Sequence, residues 1–135
     1  MTLTPKGYRP RLVDPKIDEY MRIYGAVSIE GTKNCGKTWT ARNHSNSIFA
    51  LDDASENYRN YRLASRDANY ALEGEEPHLI DEWQTVPSIW DGVRRRVDEE
   101  KTRGRFVLCG SSVPPENGFG GSPMHSGLGR IGAIR

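Results

Sequence analysis

The residues with the clearest chemistry form the octapeptide GTKNCGKT, Gly31 to Thr38. It follows a short apolar run, Ala26-Val27-Ser28-Ile29, and leads into a segment that reads as a helix. The pattern is G-x-x-x-x-G-K-[ST], and its spacing has a physical reason. Glycines at Gly31 and Gly36 let the backbone curl until successive N–H groups converge on a phosphate. They do so at a helix N-terminus, whose dipole favours negative charge. Thr32, Lys33, Asn34 and Cys35 complete the cradle, and Trp39 closes the stretch expected to contact a nucleotide. Lys37 adds a point charge for the β- and γ-phosphates, and the Thr38 hydroxyl is suited to ligating Mg2+.

A phosphate loop needs partners, and three later stretches offer them. HLIDEWQ, residues 78–84, is an apolar run ending in two acids. At a strand end beside the loop, Asp81 can hold Mg2+, and Glu82 can polarise the water that attacks the γ-phosphate. FVLCGSS, residues 106–112, ends in hydroxyls, so Ser111 or Ser112 can sense the γ-phosphate. Arg130, in SGLGRIG, is a candidate for neutralising charge on a transferring phosphoryl group. Cys35 sits where a thiol is acidified, at a helix N-terminus near Lys37, yet a small tolerated loop residue accounts for it. His78 and His125 have no metal-ligand companions and are expected at the surface. Trp39, Trp83 and Trp90 are expected in the core or at a domain interface.

These residues must be positioned by regular elements. Asp14-Pro15 reads as a helix start, with Asp14 as the cap. Ile17, Tyr20, Met21 and Tyr24 follow at helical spacing, which predicts a helix over 15–24. Strands are predicted at 26–30, 47–51, 78–80 and 105–109, with a helix over 37–45 after the loop. Residues 55–72 are polar and rich in tyrosine and predict one or two short helices. Pro87 opens the best helix, with Ile89, Trp90, Val93 and Val97 on one face and charges opposite. Residues 113–129 are rich in Gly, Pro and Ser and read as loop, and 130–135 reads as the start of one more strand. Strands alternating with helices imply an α/β domain with a largely parallel sheet. In such sheets ligands sit beyond the carboxyl ends of the strands, where the loop, the acids and the serines all fall.

The chain has 135 residues, one domain's worth, and enough to bury a core without disulfides. Its 19 Lys+Arg nearly cancel 18 Asp+Glu, so charge gives no indication of nucleic acid or anionic lipid. Arg94-Arg95-Arg96 is followed at once by Asp98-Glu99-Glu100, the pattern of a solvated helix face with mixed-sign pairs. Cys35 and Cys109 have no recognisable spacing. Residues 1–11 have no apolar signal-peptide core, and no apolar run approaches the roughly 18 residues of a membrane span. A soluble cytoplasmic protein is the expectation. Its mean hydropathy of -0.71 is polar for a compact domain.

GAVSIEGTKNCGKTWTA, LIDEWQTVPSIWDGVRRRVD, FVLCGSSVPP and HSGLGRI together resemble the AAA-type ATPases of a bacterial and archaeal two-domain family. In that family an N-terminal AAA domain precedes a C-terminal domain of unknown function. The resemblance covers most of residues 10–135. It implies a P-loop NTPase fold, three-layer α/β/α with a mostly parallel sheet. It also implies ATP and Mg2+ as cofactors, Asp81 and Glu82 in the metal and water-activating roles, and Ser111 as the sensor. Arg130 becomes an arginine-finger equivalent acting on a neighbouring protomer, which requires a homo-oligomer. Thr32-Lys33-Asn34 departs from the family's more frequent Pro-Lys-Trp, at positions that are permissive. The larger departure is length, since the family's chain continues through a fifth core strand, a helical remainder and the second domain. Here residues 1–135 read as a single AAA-type domain, with core 25–112, that stops inside that strand at Arg135. An incomplete neighbour would leave the ladder edge of the P-loop strand exposed.

The first functional reading is an ATP-binding AAA-type module that hydrolyses ATP with Mg2+ and drives an unknown partner or domain. The alternative is a nucleotide-binding remnant of a truncated gene, without significant turnover. A small P-loop kinase is the third reading, but residues 113–135 offer little of the acceptor site or arginine-rich lid it needs.

Overall fold

The computed structural model describes residues 2–30, 37–100, 102–110, 124–126 and 129–134. In chain order the elements are α1 (Asp14–Ile23), β1 (Ala26–Glu30), α2 (Lys37–Asn43), β2 (Ser47–Ala50), α3 (Ser55–Arg66) and α4 (Asn69–Leu72). Then come β3 (His78–Asp81), a 3-10 turn (Trp83–Thr85), α5 (Ser88–Glu100), β4 (Phe106–Gly110), β5 (Met124–Ser126) and β6 (Gly129–Ile134). The strands form one sheet in the order β2-β3-β4-β1-β6-β5. The pairs β2–β3, β3–β4 and β4–β1 are parallel.

Every residue of β1, β3 and β4 is buried, as short continuous apolar runs should be when helices cover both faces of a parallel sheet. Alternate side chains divide the core in two. Val27, Ile29, Leu79, Val107 and Cys109 pack with Val13, Ile17 and Ala41, under α1 and α2. Ala26, Ile80, Phe106 and Leu108 pack on the other face with Leu72, Trp83, Trp90, Val93 and Val97. The result is the three-layer α/β/α arrangement of a P-loop NTPase. A fully buried side chain such as Ile17 contributes about 2 kcal/mol. Gly104, at φ +64, makes the left-handed turn between α5 and β4, and its N–H donates to Tyr24 O at 2.9 Å. Among the described residues no helix is long and apolar enough to cross a membrane.

Several expectations need correction. Asp14 is the first residue of α1, not its cap: Val13 holds the cap position, and the Asp14 carboxylate instead accepts the Arg11 N–H at 2.7 Å. The stretch expected to be loop holds the short strand β5. β6 runs antiparallel to β1 and pairs along its whole length, from Ala26 with Ile134 to Glu30 with Arg130. The ladder edge of β1 is therefore covered rather than exposed. Only two residues join β5 to β6, and an antiparallel neighbour can be reached by such a short link, whereas a parallel one needs a long crossover.

His78 is not a surface residue but 1% exposed, with Nε2 donating to Ala71 O at 2.8 Å and Nδ1 2.6 Å from Ser47 Oγ. Burial lowers its pKa from the ordinary histidine value. Trp83 and Trp90 lie in the core with ring centroids 5.0 Å apart, but Trp39 is 48% exposed on α2. His125 falls on β5, where the register pairs it with Arg130. Arg96 pairs with Glu73 at 3.8 Å, so the mixed-sign face of α5 finds a partner on a neighbouring segment.

Candidate functional site

Parallel strands deliver their last residues to one edge of the sheet. β1 ends at Glu30, immediately before the glycine loop, and α2 begins with Lys37 and Thr38. β3 ends at Asp81 and β4 at Gly110, so the acids and the start of α2 meet at this edge.

Thr38 Oγ1 donates toward Asp81 Oδ1 and Oδ2 at 3.4 and 3.5 Å, long contacts that leave the carboxylate weakly held. Lys37 Nζ lies 4.0 Å from Glu82 Oε1, and Lys37 is 4% exposed. A buried ammonium and a nearby carboxylate compensate each other here. Asp81 is 6% exposed. Burial, reinforced by the negative charges of Asp52 and Glu82, pushes its pKa up to about 6, against the pull of the Cys109 thiol and Lys37. Burial and the charge of Asp81 also push the Cys109 thiol well above its ordinary value, which makes it a structural neighbour rather than a nucleophile.

Glu82 follows the strand in a left-handed conformation, φ 59 and ψ 41. That costs a non-glycine residue about 1 kcal/mol, and such strain is held only where the surroundings enforce it. Two contacts enforce it. The Glu82 N–H donates to Cys109 O at 2.7 Å, and Gln84 Nε2 donates to Glu82 Oε2 at 2.6 Å.

The structure thus brings together Lys37 and Thr38 of α2, Asp81 of β3 and Glu82 of the link that follows it. Trp39 is one residue further along α2 and points to solvent. Gly31, Thr32, Lys33, Asn34, Cys35 and Gly36 lie outside the described residues, as does Ser111. Arg130 stands on β6 opposite Glu30, so its backbone is at the loop end of the sheet. Sequence reasoning gave no role to Cys109, Gln84 or Asp52. Cys109 is the register partner of Asp81, a relation visible only once β3 and β4 are paired.

The donor set suits a hard cation. A hydroxyl and a carboxylate within 3.5 Å of each other, in a cluster where Asp81 is short of positive charge, fit Mg2+ with phosphate and water completing its shell. Among the described residues no three His, Cys, Asp or Glu side chains converge to hold a metal by themselves.

Residues 24–117 match the family model described as an AAA domain. No curated protein and no solved structure matches the chain.

Proposed function

The chain belongs to the AAA-domain family, a nucleotide-binding ATPase-like module, and from that premise we propose that it binds Mg-ATP and hydrolyses it. The observation that carries the reading is the convergence of Lys37 and Thr38 with Asp81 and Glu82 at one edge of the sheet. In this reading the backbone from Gly31 through Thr32, Lys33, Asn34 and Cys35 to Gly36 cradles the phosphates, with Trp39 alongside. Lys37 leaves its place near Glu82 to neutralise the β- and γ-phosphates. Thr38 and Asp81 hold Mg2+, which when bound offsets the charge on the phosphates. Glu82, with one carboxylate oxygen turned toward Lys37, accepts a proton from the attacking water. Ser111 senses the γ-phosphate. Arg130 acts on the nucleotide of a neighbouring protomer, which makes a homo-oligomer the active form. The energy released drives a partner or a further domain.

A fluorescent ATP analogue tests the first half. Lys37→Ala removes a charge-assisted contact of about 2–3 kcal/mol, a loss of about 30- to 140-fold in affinity. Equal binding by wild type and variant would overturn the proposal. Steady phosphate release, abolished in Glu82→Gln while binding persists, supports hydrolysis. Binding without release at any protein concentration leaves a nucleotide binder that does not cycle.

A further inference from the structure

A carboxylate that takes a proton from water must present one oxygen in a fixed direction. Glu82 begins the link between a strand and a 3-10 turn, so its backbone alone would leave the side chain several rotamers. The side chain is nonetheless held on one side only. Gln84 Nε2 takes Oε2 at 2.6 Å, while Oε1 is left facing Lys37 Nζ at 4.0 Å.

Gln84 is itself seated. Its neighbour Trp83 is buried against Trp90, which anchors the 3-10 turn in the core below the sheet. On the other side, a Cβ added at Gly110 would lie 2.4 Å from Gln84 Oε1 and 3.0 Å from Trp83 Nε1. With no side chain at Gly110, the Gln84 amide and the Trp83 ring lie close over the end of β4 without displacement. The seat therefore runs from the core through Trp83 to Gln84, and from Gln84 to the oxygen of Glu82 that faces away from Lys37.

We propose that Gln84 is a positioning residue for Glu82: its amide fixes one carboxylate oxygen so that the other is presented to the water beside the terminal phosphate. The inference rests on the hydrolysis reading above and adds a residue to it. Gln84 touches neither nucleotide nor metal in this account, so its removal affects turnover and not binding.

The test compares Gln84→Ala and Gln84→Glu with wild type for ATP affinity, kcat and melting temperature. Gln84→Ala is expected to lose about 10- to 100-fold in kcat, the range for disturbing a general base, with affinity within about 2-fold. Gln84→Glu keeps the shape but replaces the donor by an acceptor, and is expected to lose at least as much. Added to Glu82→Gln, either change is expected to cost nothing further, because it acts only through that carboxylate. Unchanged kcat in Gln84→Ala, or an equal further loss on the Glu82→Gln background, would overturn the inference while leaving hydrolysis standing. A fall in affinity or melting temperature that accounts for the lost turnover would assign Gln84 to folding and also overturn it. Wild-type protein that binds ATP without releasing phosphate would remove the hydrolysis reading and this inference with it.

Discussion

Two aspartates in this domain are buried to nearly the same degree, Asp14 at 8% exposed and Asp81 at 6%, yet their environments push them in opposite directions. Burial raises the pKa of each. At Asp14 the donors outweigh it: the Arg11 N–H at 2.7 Å, both contacts of the Tyr8 hydroxyl at 2.9 Å and the His44 Nε2 at 2.8 Å. The net result is a carboxyl held below its ordinary value. At Asp81, among the described residues, only the long Thr38 contact, the Cys109 thiol and the charge of Lys37 help, and Asp52 and Glu82 oppose. The first carboxylate is satisfied and ties α1 to His44, just past the end of α2. The second has fewer donors among the described residues, and its pKa is raised. A similar exposed surface does not make the two acids alike; how deep each carboxylate lies, and the count and sign of what faces it, set the direction of its shift.

The strongest challenge to this contrast is Asp14→Ala. It strands the Arg11 N–H, the Tyr8 hydroxyl and His44 Nε2, which should cost about 3–5 kcal/mol in urea unfolding. Because the folded pKa of Asp14 is depressed, its contribution is present above the ordinary range near 3.8 and is lost as pH falls through the folded value. The wild type should therefore lose stability at the acid end where Asp14→Ala does not. A variant as stable as wild type at pH 7 would sink the claim that the donors make this acid structural.

Asp81→Asn should do the reverse. With a folded pKa near 6 against 3.8 unfolded, the ionised carboxylate disfavours the fold. Stability that is full below about pH 4 declines as pH rises through about 6, by roughly 2–3 kcal/mol. The asparagine variant should then be the more stable protein at pH 8 by about that amount, with the advantage gone near pH 4. Urea melts across that range decide it, and a variant less stable at pH 8 would contradict the charge-starved picture of the site.

How far the sequence revealed these two acids also differs. The place of Asp81 at the end of β3 was legible because an apolar run ends there in two acids. The same logic found β1, β3 and β4, and the spacing of Ile89, Trp90, Val93 and Val97 gave the buried face of α5. Asp14 was misread as a helix cap because its side-chain partners, Tyr8 and His44, belong to no motif, and His44 is 30 residues away. Gln84 was in plain view beside Asp81, but its amide has meaning only after Glu82 turns left-handed and folds back on it. The direction of β6 was hidden for a related reason: strand patterns read the same both ways, and the link to β5 decides the pairing.

The finest test of the contrast leaves both aspartates in place and changes what Asp81 faces. Asp52 is exposed, just past the end of β2, whose last residue Ala50 is the register partner of Asp81. After burial, its charge is the largest influence raising the Asp81 pKa. Asp52→Asn should lower the Asp81 midpoint by a fraction of a unit, measurable by carboxyl carbon NMR, with little effect on overall stability. Added salt should lower the wild-type midpoint in the same direction and do less in the variant, because an exposed charge is screened and a buried one is not. A midpoint indifferent to both changes would mean that burial alone holds Asp81 near pH 6, and the sign of its neighbours would no longer distinguish it from Asp14.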